Sequence, residues 1–355
     1  MWNFLMVKTW ILCGAIIFAA SVAAHHSPNV HFDRENVVEI AGTLTEVSWR
    51  NPHTTLVIEA VGENGQLETW VAETRAALQM ERTNLSPNIF HVGDELRVAG
   101  FPGRRNRTAI YATNILLTDG SELIAENFAG LRWSDRLAGA ALSEYQAQKI
   151  ESETHDLDTG IFRVWSRDGS IIHPGIDETE RALWIDEYPL TERAREAQAN
   201  WDPVADNPYI LCQNAMPAIM DQGFPLEFVQ QGNTIFLYLE ELDTVRRINM
   251  AANISSLDEG AGPFGYSVGY WESETLVVTT TNIDWPWFDQ RGIPQENLHL
   301  VERFTPSTDG RSLGYELTVT DPAIFTESVV LTRRWIYVPG EEIKPYDCDW
   351  NREDL

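Results

Sequence analysis

The chain has 355 residues, with 26 basic and 53 acidic side chains and a formal net charge of −27. So acidic a surface repels phosphate backbones, which excludes nucleic acid as a partner. It suits a soluble exported protein, or one from a saline habitat, and by itself marks no site.

Residues 1–24 read as an export signal. Lys8 is the only charge before an apolar run from Trp10 to Ala20, too short for a bilayer core that takes about 20 apolar residues. Val22-Ala23-Ala24 supplies the small residues a signal peptidase accepts, so the cut is expected after Ala24. That places the mature protein in the periplasm or outside the cell, with no stable membrane span; a retained anchor is the alternative. Cys13 leaves with the signal. Cys212 and Cys348 remain, and in an oxidising space an isolated pair is most simply a disulfide. It would close a loop of about 136 residues, worth roughly 5 kcal/mol as an upper bound in the chain-entropy account. Two buried thiols are the alternative.

From residue 25 to about 120 run five segments with the two-residue alternation of half-buried strands: "ENVVEIAGTLTEVSW", "HTTLVIEAV", "QLETWVAET", "DELRVAG" and "TAIYATNILL". A short helical piece, Ala76 to Arg82, falls between the third and fourth. Five strands with a helix in that place predict a small OB-like barrel. Residues 121–156 change character: "SDRLAGAALSEYQAQKIESE" has helical spacing behind a capping Ser134-Asp135, and reads as a helical linker. Residues 157–355 return to β structure, interrupted by a helix in "PLTERAREAQANWDP". Turns at Gly232-Asn233, Glu272 to Glu274 and Asp309-Gly310 join about eight antiparallel strands, favouring a lipocalin-like barrel, with a β-sandwich as runner-up. The expected class is mainly β.

"AHHS" behind a signal, followed by "GTLTEVSWRNPH" and "VGDELRVAG", resembles a small exported bacterial domain of unknown function that begins His-His-Ser. The second half, with "PLTERAREAQANWDPVADNPYILC", "MPAIM", "VRRINM", "GYWESETLVV" and "LHLVERF", is similar to uncharacterised exported proteins of proteobacteria and acidobacteria. The resemblance implies no activity. Those proteins carry His-Ser-Ile-Gly where this chain has Tyr266-Ser267-Val268-Gly269, so no imidazole stands at 266 for metal or acid–base work.

Three groups of residues could carry chemistry. Cleavage after Ala24 would give His25 a free α-amine beside its imidazole, a natural chelate. His26 and His53 could complete a nitrogen set for copper or zinc, with His31 close by; frayed, solvated histidines are the bland alternative. His53, behind Asn51-Pro52, could also simply hydrogen-bond a neighbouring loop. In the second barrel, alternation turns Glu302, Asp321 and Arg333 inward. Buried charge is costly unpaired, so the three are expected to meet. Glu302 and Asp321 would act as acid–base groups with His299, Arg333 being their electrostatic partner, or the three would merely clamp one barrel end. Finally, "NIDWPWFDQRG" gathers Trp285, Trp287 and Phe288, either as a mouth for a hydrophobic ligand or as a plug. Arg246 joins them as a ligand-binding candidate.

No Walker loop, GxGxxG, GxSxG or HExxH is present. The leading expectation is a binding or accessory protein, holding a small hydrophobic molecule in the second barrel with copper or zinc at the mature N-terminus. An enzyme (isomerase, cyclase or hydrolase) using the second barrel's acid–base groups is the alternative. An assembly factor contacting an envelope protein through the OB-like surface is the third.

Overall fold

The computed structural model describes residues 31–62, 64–126, 129–152, 160–168, 185, 187–202, 206, 212–221, 223–250 and 262–348. The chain is mainly β, in two closed barrels.

The first barrel is built from β1 (Val38–Ser48), β2 (Thr55–Val61), β3 (Leu67–Glu73), β4 (Glu95–Pro102) and β5 (Ala109–Leu116), with helix α1 (Ala77–Glu81) between β3 and β4. β1 pairs with both β2 and β4, and β3 closes on β5 in parallel. That is OB topology, as the strand and helix order predicts. Leu44, Leu56, Ile58, Leu96, Val98, Ile110 and Ile115 fill it. Closing so small a barrel presses backbones together. A Cβ on Gly42 would sit 2.2 Å from the Glu59 carbonyl oxygen, and one on Gly100 would sit 2.1 Å from that of Tyr111. Only glycine fits there.

β6 (Glu122–Ile124) extends this sheet beside β5. Helix α2 is shorter than its sequence suggests, covering Leu142–Ser152 alone. Residues 134–140 lie as an irregular segment against the first barrel. Leu137 bridges Glu122, Ala138 donates its N–H to the Glu122 carbonyl, and Gly139 takes a φ of 75°. Tertiary hydrogen bonds outcompete helical spacing in this stretch.

The second barrel has nine strands. β7 (Val164–Arg167), β8 (Leu226–Gln231), β9 (Thr234–Leu239) and β10 (Thr244–Asn249) form one antiparallel run. β11 (Tyr266–Glu272), β12 (Thr275–Thr281), β13 (His299–Pro306), β14 (Ser312–Thr320) and β15 (Val329–Ile336) form another. β15 closes on β7, and β10 lies parallel to β11. The sheet is therefore a mixed barrel rather than an antiparallel one or a sandwich. Parity requires it: strand direction cannot alternate all the way round a ring of odd number. The long 250–265 connection allows the parallel junction. Hairpins fall at Gly232-Asn233, Ser273-Glu274 and Asp309-Gly310, where turn chemistry places them.

The interior of this barrel is packed with large side chains. Phe228, Phe304, Tyr315 and Trp335 form a chain of rings with centroids 5.1, 4.9 and 5.4 Å apart. A short segment enters one end: Met216, Ile219 and Met220 are fully buried in the same core, and Asp221 pairs with Arg333. Helix α3 (Glu192–Ala199) lies over other loops, N-capped by Thr191, whose own N–H donates to the Ile324 carbonyl. Cys212 and Cys348 form the disulfide, which is consistent with an oxidising extracytoplasmic space. No helix among the described residues is long and apolar enough to cross a membrane.

Candidate functional site

The inward face of β13 carries Leu300, Glu302 and Phe304, as alternation predicts, and Glu302 is fully buried. Its partner, however, is Arg246 of β10. The guanidinium donates twice, Nη1 to Oε1 at 3.0 Å and Nη2 to Oε2 at 2.7 Å. Tyr315 donates its hydroxyl to Oε1 at 3.0 Å. Thr280 stands 3.4 Å from Oε2 and shares a 2.8 Å hydrogen bond with Ser267. Nη1 of Arg246 also lies 3.3 Å from the Met220 sulfur of the inserted segment. A bidentate pair in so dry a place leaves both carboxylate oxygens engaged.

Glu302, Asp321 and Arg333 do not meet. Asp321 is buried at the end of β14, where Oδ2 accepts the N–H groups of Glu296 and Asn297 at 2.9 Å and Oδ1 accepts that of Ala323 at 3.2 Å. Arg333 bonds Asp221 and lies 5.5 Å over the Trp335 ring. His299 stands exposed on the outer face of β13, away from all three. The loop aromatics divide. Phe288 is fully buried against Tyr188 and Phe325, at 5.5 and 5.1 Å, and seals the core. Trp287 packs edge-on to Trp201 at 6.2 Å and donates its indole N–H to the Asp206 carbonyl, while Trp285 is half-buried.

Glu241, in the turn after β9, faces the same charges as the inserted segment. Its carboxyl is pushed from an ordinary 4.5 up to about 7 by burial and by the charge of Asp221, with Arg333 opposing. A carboxyl raised on folding contributes stability fully below about pH 4.5 and loses it as pH climbs through 7. Glu241→Gln is therefore expected to be near neutral at pH 4. At pH 8 it should stabilise by roughly 1–3 kcal/mol. Urea midpoints at the two pH values check this; the same midpoint shift at both would remove Glu241 from the account.

A second polar group lies on the outside of the first barrel and could not be read from alternation. Glu73 of β3 and Tyr111 of β5 are register partners, so their side chains stand together. Both are on the outward face, yet both are buried. Tyr111 donates its hydroxyl to Glu126 at 2.5 Å. Burial raises the carboxyls of Glu73 and Glu126, raises the Tyr111 phenol and lowers the Arg75 guanidinium.

His53 belongs to this group. Its turn is zipped to the end of β3: the Thr54 N–H donates to the Arg75 carbonyl and the Thr74 N–H to the Thr54 carbonyl. Nδ1 lies 3.0 Å from the Thr74 carbonyl, and a carbonyl only accepts, so Nδ1 carries the hydrogen. That turns Nε2 toward Glu73 Oε1, 3.3 Å away. The Tyr111 ring stands edge-on to the imidazole at 6.4 Å, and Phe32 packs on that ring at 5.4 Å. His53 thus has a backbone hydrogen bond to a neighbouring loop, at Thr74, and an aromatic wall besides. His31 is buried, its pKa lowered to about 4 by desolvation, then by the charge of Arg105, against the pull of Asp202. His25 and His26 lie outside the described residues. Among the described residues no three His, Cys, Asp or Glu side chains gather to hold a metal ion; His53 and Glu73 supply two.

Residues 14–111 carry a domain of unknown function, the family DUF6152. The match spans His25, His26, His53, Glu73 and Tyr111, and stops short of the second barrel. No curated protein matches this chain.

Proposed function

We propose that this is an exported binding or accessory protein whose working site is the His53 group on the first barrel, and that it takes copper or zinc there. The observation that carries the reading is the orientation of His53. An imidazole whose Nδ1–H is tied to a carbonyl presents Nε2 in the way metal-binding histidines do, and Glu73 Oε1 lies at its side. His25 and His26 would supply the remaining nitrogens. Phe32, six residues along the sequence from His26, packs on the Tyr111 ring that also faces His53. A metal ion is the group such a histidine set would bind; the chain's own part is to hold Nε2 aimed and Glu73 dry.

The enzyme reading in the second barrel finds less support. Glu302 is engaged on both oxygens by Arg246, and Asp321 caps a backbone turn. Neither is placed to accept a substrate proton.

The test is metal content of protein exported through its own signal. The unmodified chain should carry one equivalent of copper or zinc. His53→Ala, and a form with one alanine inserted between Ala24 and His25, should each lose most of it. Equal content in all three sinks the proposal.

A further inference from the structure

The two barrels meet through a third element, the strap formed by residues 337–348. Its Tyr346 is buried in a groove with Ala76, at the N-cap of α1, and Leu78 of α1 from the first barrel and Phe224 from the second, the Phe224 ring standing edge-on at 5.1 Å. Asn51 reads the strap and the helix together. Its Nδ2 donates to the Tyr346 carbonyl at 2.5 Å, and its Oδ1 accepts the Leu78 N–H at 3.3 Å. Asn51 and Cys348 also form a parallel β-bridge.

Arg82 of the first barrel closes the other end of the groove. It makes a bidentate pair with the fully buried Glu240 at 2.6 and 2.7 Å, and reaches Glu341 of the strap at 3.0 Å. Glu240 and Asp243 then accept the strap's own backbone, from Lys344 N–H at 2.9 Å and Tyr346 N–H at 2.8 Å. Main-chain bonds hold an extended segment, while one cation and one apolar slot choose its side chains. This is how extended peptides are recognised at domain edges.

We propose that the groove between the barrels is a docking site for an extended segment carrying an acid and, five residues on, an aromatic. In this chain the site is filled by its own strap. Recognition comes from Asn51, Arg82 and the Tyr346 slot, and Cys212–Cys348 only keeps the segment from leaving. Without that bond the strap is exchangeable with the same chemistry on another polypeptide.

The experiment uses the full chain with Cys212→Ser and Cys348→Ser, and a labelled peptide of residues 340–348 bearing the same serine. The Tyr346 amide should still exchange at least about tenfold more slowly than a free chain, and Asn51→Ala should remove that protection. In the same chain with Tyr346→Ala, which empties the slot of its own strap, the peptide should bind saturably, and about tenfold more weakly once Asn51→Ala is added. Exchange at the free-chain rate once the disulfide is gone, or peptide uptake indifferent to Asn51→Ala, overturns the proposal. If the cysteine-free chain does not fold, Asn51→Ala in the oxidised chain decides. Tyr346 and Lys344 amides should exchange about tenfold faster there, and unchanged rates overturn it.

Discussion

Arg246→Met is expected to destabilise the second barrel by about 3–5 kcal/mol, because it strands the Glu302 carboxylate in a dry interior. Both partners are essentially inaccessible to water, so no solvent can replace the lost guanidinium. The double variant Arg246→Met with Glu302→Leu removes the charge as well as its partner. Apolar replacements of buried pairs are often neutral or stabilising, so the double should recover most of the loss. Some deficit should persist, since Tyr315, Thr280 and Ser267 also lose their acceptor network. Urea unfolding of the unaltered chain, the two single variants Arg246→Met and Glu302→Leu, and the double gives the coupling directly. A double variant as unstable as the single would show that shape around Met220, rather than the charge pair, governs this layer.

Glu122→Ala should cost the first barrel about 3–5 kcal/mol, since charge-assisted hydrogen bonds are worth about 1.5–3 kcal/mol each and do not add fully. The Glu122 side chain is fully buried and accepts four N–H donors: Asn114 Nδ2 at 2.6 Å, and the backbones of Arg132 at 2.8 Å, Trp133 at 2.8 Å and Ser134 at 3.0 Å. It is the anchor that folds residues 130–138 onto β5 and β6. Glu122→Gln keeps the shape but turns an amide donor toward backbone donors, so it should recover less than half of the loss. Thermal unfolding, with exchange rates of the Trp133 and Ser134 amides, checks both. Slow exchange of those amides in Glu122→Ala would mean the segment is held by its other contacts.

The same two residues show what could be read ahead of the structure. Glu302 sits among Leu300 and Phe304 in a strict alternation, so its burial follows from period two alone. The identity of its partner does not. Arg246 shares the same inward pattern on a strand 56 residues earlier in the chain, and only the order of strands around the barrel brings the two together. The sandwich alternative, and the expected meeting of Glu302 with Asp321 and Arg333, were equally compatible with the alternation. Ring closure with nine strands, and the segment inserted at Met216–Asp221, decided between them.

In the first domain the local signals went further. Strand alternation and a helix between the third and fourth strands are sufficient for an OB barrel, because each acts within a few residues or between adjacent strands. The pair of late cysteines was likewise sufficient for the disulfide. Glu73 and Tyr111 were not legible, since outward positions on strands read as solvated, and nor was Glu126, in the bend after β6. What buries them is packing across the chain, with Phe32 and the turn of His53 laid over the β3–β5 seam. Composition and periodicity thus determined which segments become strands and which faces turn inward. Tertiary structure alone decided which buried charges pair, which outward residues are covered, and that the C-terminal strap lies in a groove built by both barrels. The physical reason is range: alternation acts over two residues, whereas a buried charge takes whichever partner the closed barrel places within 3 Å.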